Sequence, residues 1–390
     1  MCPVQIYLYQ QSKGIDLILC ELKRMGNKKK ILIVIGTRPN FIKITQFKKE
    51  AKRFPGLEIK IVHTGQHYDS KMVDVFFEQF KLIPDYFLNI SPNTANKQIS
   101  EIISKLDDVL IDYQPNWVIV VGDVNSTFAA ALTANKLGIK IAHLESGLRS
   151  FDKSMPEEHN RILTDAISDL FFVTEKSGMD NLLKEGKTTK NTFMVGNTMI
   201  DTMVAFRKEI NASPILKKLA LNKKNFVLMT MHRPATVDTK AGLQKLIQLI
   251  ETVTQNTKVV FPIHPRTISS MQYFDLHAQL KKNKNLVITE PLDYFSFQKL
   301  IKEASFIITD SGGIQEETTF LQIPCLTLRS NTERPITVTL GSNELMPFDI
   351  KKIKNKIHSI QAGNYKVGKI PKFWDGKSTQ RIIKILSQVE

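Results

Sequence analysis

Residue types able to move protons or hold anions recur in this chain at one kind of place, the end of a short apolar run. "WVIVVGDVNST" delivers Asp123 and "IAHLESG" delivers Glu145, two carboxylates from successive runs. "SMPEEHNRILTDAI" adds Glu157 at the start of a helix-like segment, with Pro156 near its first position. Carboxylates gathered on one rim can share proton transfer, and no metal-ligand pattern surrounds these three. Each also has a plainer reading. Asp is among the best helix N-caps, and Ser154 with Glu157 has the spacing of a capping box. Two successive strands that bring a carboxylate to the same rim favour chemistry over capping.

A second set of residues suits phosphate. "GTRPNFIK" places Gly36, Arg38 and Lys43 in a strand-to-helix turn, where the helix N-terminus and two cations attract an anion. "LMTMHRPATV" brings His232 and Arg233 to a strand end, and "IHPRT" repeats the theme with His264 and Arg266. A histidine beside an arginine suits a phosphate partner or a general acid. "FIITDSGGIQEETTF" sets Ser311, Gly312 and Gly313 before a helix, where bare backbone N–H groups can approach a diphosphate. Glu317, one turn in, can accept hydrogen bonds from adjacent ribose hydroxyls; Glu316 points elsewhere and reads as structural. "TERP" adds Arg334 after the next strand. Neither a GxGxxG fingerprint nor a GxxxxGK[ST] loop is present, so dinucleotide redox and P-loop hydrolysis lose ground.

These rims need a scaffold, and the chain supplies one. Short β-branched runs alternate with amphipathic segments: "ILIVIG", a helix over Phe41 to Lys52, "IKIVHTG", helices near Met72 to Phe80 and Gln98 to Tyr113, "WVIVVG", then "IKIAHLE", "LFFVTE" and "NTFMVGN". This is the α/β signature of a parallel sheet covered by helices, with roughly six strands. Residues 205 to 224 form a polar, lysine-rich linker. A second series follows through "NFVLMTMH", "TKVVFPIHP", "NLVITEP", "SFIITDSGG" and "PCLTLRS". In open parallel sheets ligands sit beyond the carboxyl ends of the strands, which is where the polar rims fall.

Composition narrows the class. A chain of 390 residues, 42% hydrophobic and 24% charged, can bury two or three domain cores. The formal charge of +16 comes with no nucleic-acid-binding motif and no basic–aromatic interleaving, so no nucleic-acid partner is expected. Cys2, Cys20 and Cys325 form no CxxC or Cys/His cluster, which points to a reducing, cytoplasmic setting without disulfides or a metal site. The apolar runs fall far short of the roughly 18 to 20 residues of a membrane helix, so no membrane contact is expected.

Taken in order, "GTRPNFIK", "HTGQHYD", "GDVNSTFAAALTANKLGIKIAHLESGLRS", "MPEEHNRILTDAISDLFFVTE", "VGNTMIDTM", "HRP", "TDSGGIQEE" and "NTERP" resemble the motifs of the non-hydrolysing UDP-N-acetylglucosamine 2-epimerases over about residues 31 to 350. The resemblance implies a glycosyltransferase-B-like fold, two Rossmann-like domains with a ligand cleft between them. The expected division is an N-terminal extension (1–28), a first domain (29–204), a UDP-binding domain (205–365) and a C-terminal helix (366–390) returning to the first domain. It also implies a homodimer, activation by UDP-GlcNAc at a second site in some members, no cofactor, and a role in surface polysaccharide synthesis. The implied reaction eliminates UDP across C1–C2 to 2-acetamidoglucal and adds it back with C2 protonated on the other face. Asp123, Glu145 and Glu157 would share the proton transfers, with the base unassigned among them. His232 with Arg38 would stabilise the departing diphosphate, and Arg233, Ser311, Gly312, Gly313, Glu317 and Arg334 would hold UDP. Lys43, Gln66 and His67 match positions near the substrate or regulatory site. Asn40, Ser146 and Ala235 depart from the commonest family pattern, which leaves the sugar and the allosteric control open. A 2-epimerase of a related UDP sugar such as a diacetamido uronic acid, a hydrolysing epimerase, a glycosyltransferase and a non-catalytic UDP-sugar sensor are the rival readings.

Overall fold

The computed structural model describes residues 28–66, 75, 77–91, 93–281 and 283–389. Expectations for residues 1–27, for His67 and for residues 72–74 and 76 of the segment from Met72 to Phe80 lie outside them.

The apolar runs become two parallel sheets. The first comprises β1 (Lys29–Ile35), β2 (Leu57–His63), β3 (Tyr86–Phe87), β4 (Trp117–Val121), β5 (Lys140–Leu144), β6 (Leu170–Val173) and β7 (Thr192–Met194), in the order β3-β2-β1-β4-β5-β6-β7. The second comprises β8 (Phe226–Thr230), β9 (Lys258–Pro262), β10 (Leu286–Thr289), β11 (Phe306–Thr309), β12 (Cys325–Leu328) and β13 (Asn343–Met346), in the order β10-β9-β8-β11-β12-β13. In both, the order reverses beside the first strand of the sheet, the arrangement of a doubly wound Rossmann-like domain. The reversal points lie between β1 and β4 and between β8 and β11. The turns carrying Arg38, Asp123, His232 and Ser311 are therefore the ones that open onto crevices.

Cover on both faces explains why β4 is apolar throughout and β1 is apolar from Ile31 onward. Ile31, Ile33 and Ile35 of β1 join Ile59, Ile61, Ile119 and Val121 on one face. Leu32 and Val34 join Val62, Val118, Val120 and Ile141 on the other. Helices cover both faces, so neither set meets water. The second sheet divides likewise, with Val227, Met229, Phe261 and Ile308 on one face and Phe226, Leu228, Val260 and Ile307 on the other.

The first core does not stop at its own sheet. Tyr294 of the second half belongs to it, with Phe295, Phe320, Leu321 and Ile336 packed alongside. The final helix, Ser378–Gln388, inserts Ile382, Ile383 and Leu386 into the same core, and Trp374 just before it is buried there. Asp201 fixes that helix by accepting hydrogen bonds from the Ser378 and Thr379 backbone N–H groups at its start.

Several elements differ from expectation. The helix expected over Phe41 to Lys52 is two helices, Arg38–Ile44 and Phe47–Ala51. The Thr202 hydroxyl donates to the Ile42 carbonyl at 2.6 Å and lies 2.6 Å from Thr45 Oγ1, which captures the end of the first helix. The linker after Ala205 is itself helical, over Arg207–Ala212 and Ile215–Lys218, with Ile210 and Ile215 buried. Short strands β3 and β13 bring the sheets to seven and six strands. Among the described residues no helix is long and apolar enough to cross a membrane.

Candidate active site

The first rim is built by helices that begin close to the ends of β1, β4 and β5. A Cβ on Gly36 would lie 2.0 Å from Ser126 Oγ, so only glycine lets β1 end this near the helix Asn125–Lys136. Asn40 then locks the turn. Its Oδ1 accepts from the Gly36 and Thr37 backbone N–H groups at 3.3 and 3.2 Å, while its Nδ2 donates to the Val121 carbonyl at 3.1 Å. A carboxylate there could not supply that last bond, which gives the departure at position 40 a physical sense.

Asp123 is not a helix cap, because the cap position falls on Val124. Gly122 turns the chain at a φ of +68°, and Asp123 stands ahead of the helix with Oδ2 accepting from Arg161 Nε at 2.9 Å. Its carbonyl accepts from Asn160 Nδ2 at 2.9 Å. Glu145 adopts a φ of +73°, a conformation that is unfavourable for a side chain with a Cβ and that clusters at functional sites. The Lys43 ammonium pairs with one of its oxygens, and Arg334 Nη2 donates to the other at 2.7 Å. Burial alone would raise the Glu145 carboxyl, but Lys43 and Arg334 outweigh it and hold the group below its usual range.

The two glutamates of "PEEH" take opposite parts. Glu158 is buried, accepts from the Ser150 and Phe151 backbone N–H groups at 2.9 Å each, and pairs with Arg161. Glu157 is exposed, and its charge acts on Arg233 of the other half. The expected Ser154–Glu157 capping box is absent. The helix starts one residue later than that spacing requires, with Met155 at its cap, and the Ser154 hydroxyl donates to Asp152 instead.

The second rim answers the first. Asp310, at the end of β11, is fully buried and accepts with Oδ2 from the His232 and Arg233 backbone N–H groups at 2.9 Å each. Its Oδ1 lies 3.0 Å from His232 Nδ1, so the imidazole is oriented by a carboxylate behind it. The His232 and His264 rings are 5.4 Å apart, and burial followed by the His232 charge lowers the His264 pKa. Ser311 caps the helix Gly312–Leu321. A Cβ on Gly312 would lie 2.9 Å from Glu333 Oε1 and 3.0 Å from Arg334 Nη1, so glycine lets the Arg334 guanidinium lie against the N-terminus of that helix. A cation and a helix N-terminus side by side make a place for a divalent anion.

Arg334 is the joint between the halves. Besides Glu145 it pairs with Glu333, and its Nε lies 3.0 Å from Glu316 Oε2. Glu316 Oε1 in turn accepts from Asn197 Nδ2 of the first half at 2.8 Å. The next residue faces another way: Glu317 accepts from Gln298 Nε2 and acts on the charge of half-buried Arg38. Burial pushes the Glu317 carboxyl up to about 8.

Asp123, Glu145, Lys43, His232, Ser311, Gly312 and Arg334 thus stand on facing rims, and Gly313 and Glu317 follow on the same helix. Gln66 serves the first rim indirectly, its Oε1 accepting from the Ser126 backbone N–H at 2.9 Å. The motif reading missed Asn160, Arg161, His143, Asp165 and Asp310, and it named Glu316 as structural, where it pairs with Arg334 and Asn197. Spacing held part of the signal, since Glu157, Arg161 and Asp165 recur at i, i+4 and i+8 and so share one helix face. Among the described residues no group of three or more His, Cys, Asp or Glu side chains could hold a metal ion.

Comparison with known proteins decides which chemistry this arrangement belongs to. The family description UDP-N-acetylglucosamine 2-epimerase matches residues 49–387. The chain belongs to that family. As a member it is an epimerase, an isomerase in reaction class. A UDP-N-acetylglucosamine 2-epimerase of Methanococcus maripaludis is 40% identical over 366 residues, covering 92% of this chain and 98% of the relative. A UDP-2,3-diacetamido-2,3-dideoxy-D-glucuronate 2-epimerase of Pseudomonas aeruginosa is 38% identical over 321 residues, 81% of this chain and 88% of the relative. The crystal structure of the Methanocaldococcus jannaschii UDP-GlcNAc 2-epimerase in complex with UDP-GlcNAc and UDP superposes with a TM-score of 0.86 at 39% identity, covering 92% of this chain and all of that one.

Proposed function

We propose that the chain interconverts UDP-N-acetylglucosamine and UDP-N-acetylmannosamine without releasing the sugar, supplying mannosamine units for a surface polysaccharide. The observation that carries the reading is the ion pair of Glu145, on the first rim, with Arg334, which lies beside Gly312 on the second, in a chain that belongs to this family. In this reading Ser311, Gly312 and Gly313 offer backbone N–H groups to the diphosphate, Arg38, Arg233 and Arg334 balance its charge, and Glu317 accepts from the ribose. Lys43 sets the charge state of Glu145, and Gln66 supports the rim on which it stands.

Inversion at C2 lacks an adjacent carbonyl to acidify the proton, so a direct deprotonation is costly. Loss of UDP from C1 lets charge develop at C1 as the C2 proton departs to one of Asp123, Glu145 or Glu157. His232, oriented by Asp310, stabilises the charge gathering on the departing diphosphate. Return of UDP to C1 with a proton delivered to the opposite face of C2 completes the inversion. The proton and UDP both leave and both come back, so the sequence is redox-neutral. The active form is a homodimer in the cytoplasm in this reading.

The test is turnover of UDP-GlcNAc in D2O followed by proton NMR. The epimer with deuterium at C2 is expected; free N-acetylmannosamine and UDP would show hydrolysis instead, and an unlabelled C2 in active protein would overturn the reading. A second substrate is favoured by the Pseudomonas relative at 38% identity, a 2-epimerase of a diacetamido uronic acid. A panel of UDP sugars in the same assay separates the two by kcat/KM.

A further inference from the structure

Behind the first rim lies a buried pair that no step above uses. His143, inside β5, is fully buried. Its Nδ1 lies 2.6 Å from Asp165 Oδ1, and its Nε2 lies 2.8 Å from the carbonyl oxygen of Gly122. The Gly122 carbonyl oxygen can only accept, so the hydrogen in that bond belongs to Nε2, while Nδ1 shares a hydrogen with the Asp165 carboxyl. Asp165 is equally enclosed, and its Oδ2 accepts from the Gly147 backbone N–H at 3.0 Å and lies 2.7 Å from Arg149 Nη2. Burial would raise the Asp165 carboxyl, but the His143 ring and then Arg149 outweigh it and hold it below its usual range.

The two residues that this pair holds are the hinges of the carboxylate rim. Gly122 immediately precedes Asp123, and Gly147 lies two residues after Glu145. Both have positive φ, +68° and +77°. The turn at Gly147 has no slack, because a Cβ there would lie 2.3 Å from the Gly178 carbonyl oxygen. One buried pair is thus bonded to the turn beneath each carboxylate.

We propose that His143 and Asp165 are positioning residues which, by gripping the Gly122 and Gly147 turns together, set the separation and aim of Asp123 and Glu145 for the proton transfers at C2. The inference rests on the epimerase reading of those carboxylates. Neither residue touches substrate. Their effect is geometric, and a misplacement of about 1 Å at a reacting group can cost on the order of 100-fold in rate.

The experiment compares His143→Gln and Asp165→Asn with the parent enzyme in the D2O assay, together with UDP affinity by calorimetry and thermal melting. Each variant is expected to lose about 10- to 100-fold in kcat while KM and the UDP Kd stay within about twofold. The double variant is expected to be no slower than the worse single one, since the pair acts as a unit. A kcat within twofold of the parent overturns the inference, as does a kcat that falls only in step with UDP affinity and melting temperature. Asp123→Asn is run alongside. Full C2 exchange in it overturns the carboxylate reading itself, whereas lost exchange there with normal kcat in His143→Gln overturns only the positioning role. Should either variant fail to fold, 15N NMR of histidine-labelled parent enzyme at neutral pH decides: a hydrogen on Nε2 of the His143 ring is expected, and a ring whose Nε2 carries none overturns the inference.

Discussion

Asp310 bonds the backbone N–H groups of His232 and Arg233 with one oxygen and faces His232 Nδ1 with the other. Asp310→Asn keeps the shape but turns a neutral amide toward the imidazole. It should lower kcat by about 10- to 100-fold, less than general acid–base catalysis contributes in full, and leave UDP binding almost unchanged. Steady-state kinetics with calorimetry checks both. Glu175 offers a test by pH. It is buried, one of its oxygens has no hydrogen-bond partner among the described residues, and burial pushes its carboxyl up to about 7 from an ordinary 4.5. The folded state therefore holds this proton more tightly than the unfolded chain. The parent loses stability from this group as pH rises from 4.5 to about 7 and carries the full cost above that. Glu175→Gln should raise the melting temperature at pH values above the shifted pKa and make little difference below the ordinary one; a gain of equal size at both would refute the assignment.

At the scale of elements, the closing helix depends on one aromatic anchor. Trp374 is 1% exposed and its indole N–H donates to the Thr174 carbonyl at 3.0 Å. Trp374→Ala should cost about 3–5 kcal/mol in urea denaturation, and Trp374→Phe markedly less, because most of the volume is kept. Much of the element scale could be read before the structure. Apolar runs of buried parallel strands are hard to mistake, and the rule that ligands gather at their carboxyl ends singled out Asp123, Glu145, His232 and Ser311 without any contact information. Elements outside that pattern were not legible. β13, "NELM", is short and half polar, and the break after Ile44 depends on Thr202, a partner 160 residues away from Ile42. His143 reads as one polar residue inside a strand, and Asp310 as part of a glycine-rich turn. Their roles depend on what stands beside them in space, which no local spacing records.

Across the whole molecule, the halves meet through charge buried from water. Arg334 lies among Glu145, Glu316 and Glu333, and these carboxylates, after the opposing effect of burial, raise its pKa. Removing it leaves three acids without their common cation, which is far costlier than losing an exposed pair. Arg334→Gln should weaken UDP binding, and it should enlarge the radius of gyration of the unliganded protein in small-angle X-ray scattering; an unchanged radius would show that Arg334 does not hold the halves together.

The return of the final helix has one more consequence. The chain leaves the first half near Phe206, where Asn211 already accepts from Lys299 and Lys302. It comes back between Lys369, whose backbone N–H bonds the Leu340 carbonyl, and Trp374, anchored on Thr174. The two crossings are not the only ties, because Tyr294 and Phe295 pack into the first core and Arg334 pairs with Glu145. Any opening that carries His232 away from the first rim must therefore unpack those rings and part that ion pair together, so the contacts that complete the site are coupled to the seam between the halves.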